Sequence, residues 1–221
     1  MEISTDTARF NMIQQQVRPW DVFDEQVLET MQGVPRELFV PDAYRGLAYA
    51  DVAIPIGGGQ QMLEPRIVGR LLQALRLTPA DKVLQIGAGT GYVTACIARL
   101  GGSVLCIELQ DDLTERARAN LAALAIANAE IRTGDGLSTP PSDGPFDAIA
   151  LTGSLPTADG LDTLTAQLKP GGRLFAVVGE DPVMEALLIE RLGEGGTHQR
   201  GLFETSVPSL VNAPQPRRFV F

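Results

Sequence analysis

The first chemical signal in the chain comes from a set of glycines and two carboxylates. Gly87, Gly89 and Gly91 stand in the run Val83-Leu-Gln-Ile-Gly-Ala-Gly-Thr-Gly-Tyr, where an apolar strand signal gives way to a helical one. A glycine turn at such a junction presents backbone N–H groups and bare Cα atoms, so a ligand can press against the chain there. Glu108 closes the next strand signal, about 20 residues further on, where a carboxylate can accept ribose hydroxyls. Asp135 sits in Gly134-Asp-Gly after a third strand, placed to receive an adenine amino group. Such groups at the ends of successive strands point to a nucleoside-bearing ligand at the carboxyl edge of a parallel sheet. The glycine spacing is GxGxG. A dinucleotide fingerprint needs glycine at position 92, where Tyr92 stands, and this disfavours a pyrophosphate ligand and a dehydrogenase.

Other catalytic side chains are scarce. The 221 residues contain one His, His198, which lies beside Thr197 in a Gly-rich turn and reads as a solvated loop residue. A single imidazole excludes a His-rich zinc site, and no metal site is expected. Cys96 and Cys106 lie in apolar surroundings without CxxC spacing, as buried small hydrophobes and not as a disulfide framework. With 18 Lys plus Arg against 27 Asp plus Glu, the net charge of −9 argues against neutralising phosphates, and so against nucleic acid or an anionic membrane as partner. The chain opens without an apolar h-region, and no run approaches the ~20 apolar residues of a membrane span. The expected compartment is a reducing cytoplasm.

The elements that must position these groups follow from periodicity. The length suits one α/β domain, with a helical N-terminal region over 1–78 and a sheet over 79–221. Asp24 is placed to cap a helix carrying Val27, Leu28 and Met31, and Glu64-Pro65 opens another with Ile67, Val68, Leu71, Leu72 and Leu75 on one stripe. The stretch 49–62, with its proline and triple glycine, reads as loop. Strands are expected over 83–86, 103–107, 129–132, 147–152 and 173–179, with Asp111 or Asp112 capping the helix after the second. This βα alternation implies a doubly wound, mostly parallel sheet. Segments 184–192 and 202–207 are expected to form an antiparallel pair, and 218–221 a closing strand.

The glycine loop resembles the first motif of class I methyltransferases, where it holds the methionine end of S-adenosyl-L-methionine. A wider set of matches, from about Met12 to Gly179, is similar to the protein-L-isoaspartate O-methyltransferase family. They are Asp24-Glu-Gln-Val-Leu, Val34-Pro-Arg-Glu-Leu-Phe-Val-Pro, Ala48-Tyr-Ala-Asp-Val-Ala-Ile-Pro-Ile-Gly-Gly-Gly-Gln, Gly134-Asp-Gly, Pro145-Phe-Asp-Ala-Ile and Gln167-Leu-Lys-Pro-Gly-Gly-Arg-Leu. The resemblance implies a Rossmann-like methyltransferase fold with S-adenosyl-L-methionine as cofactor. It places cofactor contacts at Gln60, Gln61, Met62, Gly87, Ala88, Gly89, Gly91, Glu108, Leu109, Asp135, Gly136 and Thr152. The implied acceptor is the α-carboxylate of an isoaspartyl residue in a damaged protein or peptide, whose methyl ester promotes succinimide formation and repair. An ionised carboxylate is already a nucleophile, so such a transfer rests on alignment and desolvation more than on a base.

Departures from the family pattern concentrate on the acceptor side. The family loop reads Gly-x-Gly-Gln-Thr-Ile-Ser-x-Pro, with the Ser assigned a catalytic role. Here Gly57-Gly-Gly-Gln-Gln-Met-Leu-Glu-Pro puts Gln61 at the Thr position and Leu63 at the Ser position. A Leu side chain forms no hydrogen bond to a carboxylate. No catalytic residue is therefore assigned; Asp51, in Tyr49-Ala-Asp, is the one candidate, either positioning the loop or capping it. Gln85 replaces the first-motif acid, and Thr152-Gly-Ser replaces Thr-Ala-Ala. Tyr92 is expected to shape the pocket or pack the helix start, Trp20 to anchor the N-terminal segment or face the substrate, and the tail from Val207 to line the pocket or close the sheet. Thr152-Gly-Ser-Leu-Pro lacks the Asn/Asp-Pro-Pro-aromatic element of amino-methylating enzymes, which disfavours a nucleic-acid methyltransferase. Three readings stay open: a repair methyltransferase, a relative that methylates another acceptor, and a non-catalytic module that binds the cofactor.

Overall fold

Side-chain caps start the first two helices of the computed structural model, which describes residues 4–193 and 195–216. Ser4 caps α1 (Thr5–Met12) by accepting from the Thr7 N–H. Asp24 caps α2 (Glu25–Gly33) by accepting from the Gln26 and Val27 N–H groups, as expected of an acid just before an apolar stripe. Short 3-10 turns over Arg36–Leu38 and Asp42–Leu47 then lead into a stretch that differs from the sequence reading. Residues 49–62 are not loop throughout. β1 (Ile54–Gly57) and β2 (Gln60–Met62) pair antiparallel as a small hairpin. Gly57, Gly58 and Gly59 all take positive φ and reverse the chain, while Ile54, Ile56 and Met62 are buried. α3 (Pro65–Leu75) starts at its proline and buries the expected Ile67, Val68, Leu71, Leu72 and Leu75.

The remaining elements build one seven-stranded sheet in the order β5-β4-β3-β6-β7-β8-β9. β3 (Lys82–Ile86), β4 (Ser103–Glu108), β5 (Ala129–Thr133), β6 (Phe146–Leu155) and β7 (Leu168–Glu180) run parallel. β8 (Val183–Arg191) and β9 (Thr197–Thr205) are antiparallel additions at the edge. The side-chain period of two sends Val83, Val104, Cys106, Ala148 and Ala150 to a large core shared with α2, α3, α4 (Tyr92–Leu100) and α5 (Asp111–Ala123). Leu84, Leu105, Ile107 and Ile149 turn to the other face, which α6 (Leu161–Thr165) covers.

Four details correct the sequence reading. Gln110, not Asp111 or Asp112, is the N-cap of α5, and the two acids lie in the first turn, where they complement the helix dipole. β6 and β7 extend past their expected ends, with ladder irregularities that an apolar run does not reveal. β9 begins at Thr197 and not at Leu202, because its first half is polar and exposed and carries no apolar alternation. His198 therefore sits in a strand opposite Glu190, exposed, and not in a turn. The expected closing strand over 218–221 lies outside the described residues.

Strand order reverses between β3 and β6, so the carboxyl ends of β3 to β6 meet at a switch point. Gly87, Glu108, Asp135 and Thr152 come from those ends. Among the described residues, no helix is long and apolar enough to cross a membrane.

Candidate functional site

The glycine loop after β3 depends on backbone conformations that favour glycine. Gly87, Gly89 and Gly91 have φ of 88°, 54° and 92°. A Cβ on Gly87 would lie 2.6 Å from the Thr152 hydroxyl oxygen, which itself donates to the Gly87 carbonyl at 2.6 Å. Gln85, in place of the first-motif acid, is buried and donates to the same carbonyl at 2.7 Å. The Glu108 carboxylate closes the loop from β4. One of its oxygens accepts from the Ala88 N–H at 2.8 Å and the Gly89 N–H at 2.9 Å, and the other from the Gln110 N–H at 3.0 Å. An ionised carboxylate has about four acceptor positions, so one remains for a ligand hydroxyl.

Around this loop lies a cavity whose wall brings together nearly all the expected contact residues. Gln60, Gln61, Met62, Gly87, Ala88, Gly89, Glu108, Leu109, Asp135, Gly136 and Thr152 all line it. Gly91 does not, and Thr90 lines it instead. Gly91 packs under α5, where an added Cβ would lie 3.2 Å from the Ala117 Cβ and 3.3 Å from its Cα. Its glycine serves helix packing. Asp135 accepts from the Leu137 and Ser138 N–H groups at 3.0 and 3.1 Å, and from the Asn212 amide at 3.0 Å. Burial pushes its pKa up, but the hydrogen bonds from Asn212, Ser138 and Leu137 outweigh it and hold the carboxyl below its ordinary value. The tail both lines the cavity, through Leu210 and Val211, and meets β6 through the Ser154–Ser209 bridge.

On the acceptor side, Leu63 is buried and lines the same cavity. Gln61 is exposed and lines this cavity and a second one of about 460 Å³, whose wall includes Glu180, Asp181, Met184 and Ser206. Asp51 lines neither. Its carboxylate pairs with Arg66 at 2.5 Å, so it braces the start of α3 and does not reach the cavities. The Arg66 guanidinium stacks 4.5 Å from the Trp20 ring, and Trp20 meets Phe203 edge-on at 6.0 Å. Trp20 thus ties the N-terminal segment to α3 and β9. Tyr92 both lines the cavity and packs edge-on against Phe39 at 5.5 Å.

Arg36 is a wall residue to which the sequence reading assigned no role. It is 0% exposed, and burial lowers its pKa. Its Nε donates to the Ala48 carbonyl at 2.9 Å and its Nη2 to the Leu63 carbonyl at 2.8 Å, with no carboxylate among its partners. The available signal is a single cation, next to Glu37, in the otherwise apolar stretch Val34 to Val40. Asn212 was also missed, since its contact with Asp135 spans most of the sheet in sequence.

The groups on this wall can hold a nucleoside joined to an amino acid: carboxylates for hydroxyl and amino groups, a glycine cradle, and a cation for an acid. No cluster of three or more His, Cys, Asp or Glu residues suited to a metal occurs among the described residues. The sequence matches the family model described as protein-L-isoaspartate(D-aspartate) O-methyltransferase over residues 8–212. It is 44% identical over 204 residues to a protein-L-isoaspartate O-methyltransferase of Methylorubrum extorquens (strain PA1), covering 92% of this chain and 88% of that protein. A second relative so named, from Trichlorobacter lovleyi, is 40% identical over 209 residues, covering 94% and 95%. Among solved structures, a protein-L-isoaspartate O-methyltransferase aligns with a TM-score of 0.78 at 23% identity, over 94% of this chain and 66% of that one. A Plasmodium falciparum protein described as a putative protein-L-isoaspartate O-methyltransferase in complex with S-adenosyl-L-homocysteine aligns at 0.75 and 22%, over 95% and 99%. These two likenesses show the fold.

Proposed function

The chain belongs to the protein-L-isoaspartate(D-aspartate) O-methyltransferase family, and we propose on that basis that it transfers a methyl group from S-adenosyl-L-methionine to the α-carboxylate of isoaspartyl residues in damaged proteins. The observation that carries this reading is the position of Gln61, which lines both cavities. A donor in the first and a carboxylate in the second would meet beside one carboxamide. The bound cofactor supplies an electrophilic methyl group on a positively charged sulfur. The chain's own part is alignment and exclusion of water. Glu108 and Asp135 would take the nucleoside, and Ile56, Leu63 and Val68 form an apolar wall. The Gln61 amide N–H would orient the acceptor carboxylate in place of the family's hydroxyl. No proton needs to be removed, because the acceptor is ionised at neutral pH. Walls drawn from both 1–78 and 79–221 support one functional unit.

The buried Leu63 favours a second reading, a relative that methylates another acceptor. Methyl-labelled cofactor and an isoaspartyl peptide separate the two. The repair reading expects label released as methanol by mild alkali, as an ester requires. Absence of ester label, with S-adenosyl-L-homocysteine still bound, would favour the second.

A further inference from the structure

Resting on the reading of the first cavity as the cofactor site, we propose that Arg36, with the Tyr92 hydroxyl beside it, receives a carboxylate, namely that of the cofactor's methionine end. The Arg36 guanidinium spends two of its N–H positions on the Ala48 and Leu63 carbonyls, and this leaves Nη1 buried without a partner. The Tyr92 ring lies 4.8 Å from the guanidinium carbon, and its hydroxyl is also buried without a partner. A buried charged donor left unmatched is costly, more so than a lost neutral hydrogen bond. A planar guanidinium matches a carboxylate better than any neutral acceptor. Tyr92 also opens α4, so the positive end of that helix adds to the preference for an anion. An isoaspartyl acceptor carries a carboxylate too. Arg36 lines the cavity that holds Glu108 and Asp135 and does not line the second one, which assigns it to the cofactor.

Calorimetric titration of the full chain tests this without any turnover. The ligands are S-adenosyl-L-homocysteine, its decarboxylated analogue S-adenosylthiopropylamine, and methylthioadenosine, which lacks the whole amino-acid end. The intact ligand is expected to bind about 10- to 100-fold tighter than the decarboxylated one, as loss of a charged hydrogen-bonded pair implies. Arg36→Met should abolish most of that preference, weakening S-adenosyl-L-homocysteine far more than methylthioadenosine, and Arg36→Lys should restore part of it. Equal wild-type affinity for the intact and decarboxylated ligands overturns the assignment while leaving the cofactor reading intact. Failure to bind S-adenosyl-L-homocysteine at all removes that reading itself. Equal weakening of Arg36→Met toward all three ligands would mean that Arg36 acts on the cavity only by bracing the Leu63 segment, and overturns the proposal. So does unchanged ligand affinity with a raised KM for the acceptor peptide. Should Arg36→Met not fold, the wild-type preference decides, together with a several-fold selective loss expected in Tyr92→Phe.

Discussion

Arg36 donates to the backbone carbonyl of Leu63 at 2.8 Å. The position that departs most from the family pattern is thus held through its main chain, from the 3-10 turn at Arg36–Leu38, whatever side chain it carries. A hydroxyl-bearing side chain at this position would change the chemistry of the wall without removing that hydrogen bond.

That relationship makes Leu63→Ser informative. Replacing a buried Leu with a smaller polar residue should cost about 2–4 kcal/mol of stability, seen as a lower Tm. Because the backbone is clamped, the surviving fold should gain turnover on an isoaspartyl peptide, with S-adenosyl-L-homocysteine affinity nearly unchanged. A folded variant with no gain would contradict a role for this position in holding the acceptor.

Glu108 gathers three N–H groups from the loop and its own turn. Glu108→Gln removes the charge from these hydrogen bonds, and charge-assisted bonds are roughly twice as strong as neutral ones. Affinity for S-adenosyl-L-homocysteine should fall about 10-fold or more by calorimetry. Unchanged affinity would contradict the assigned role.

Two glycines with similar φ separate strain from crowding. Gly57 has φ 99° and open space around its Cβ position, whereas Gly91 has φ 92° and faces the Ala117 backbone. Gly57→Ala should cost about 1–2 kcal/mol from the left-handed backbone alone. Gly91→Ala should cost about 1–3 kcal/mol more through overpacking against α5. Thermal melts showing equal losses would contradict this packing.

Acid sensitivity has a defined sign. Burial pushes the Asp147 carboxyl up, but the Lys169 ammonium and the Lys82 N–H, both at 2.8 Å, hold it below its ordinary value. A carboxyl depressed on folding adds stability above its unfolded pKa of about 3.9, and that stability is lost as pH falls through the folded value. Asp147→Asn should therefore flatten the acid-side decline in denaturation free energy and lower the neutral plateau. An unaltered slope below about pH 4 would show that the carboxyl is not perturbed.

Both thiols should be silent in the native state. Cys96 is buried and its thiol is pushed up to about 12 by burial; Cys106 is buried and pushed up as well. A thiol-reactive dye should label neither until denaturant is added, since only the thiolate reacts. Rapid native labelling would contradict the packing of α4 on the sheet.

Legibility from sequence followed the range of the interaction. The glycine loop, Glu108 and Asp135 were readable because strand ends and turn glycines obey local rules, and the structure brings them to one wall. Gly91 shows the opposite case: besides its φ of 92°, it needs glycine because of Ala117, on another helix, which local spacing does not show. The polar outer half of β9 and the hairpin at 54–62 carry no apolar run long enough to announce a strand. Arg36 and Asn212 gain their meaning only from partners brought in by tertiary folding.

The most direct measurement compares two isomeric peptides that differ only in an aspartyl or isoaspartyl linkage, each incubated with the chain and methyl-labelled S-adenosyl-L-methionine. Alkali-labile label on the isoaspartyl peptide alone is the predicted result. Equal labelling of both peptides, or none on either while S-adenosyl-L-homocysteine binds, would contradict it.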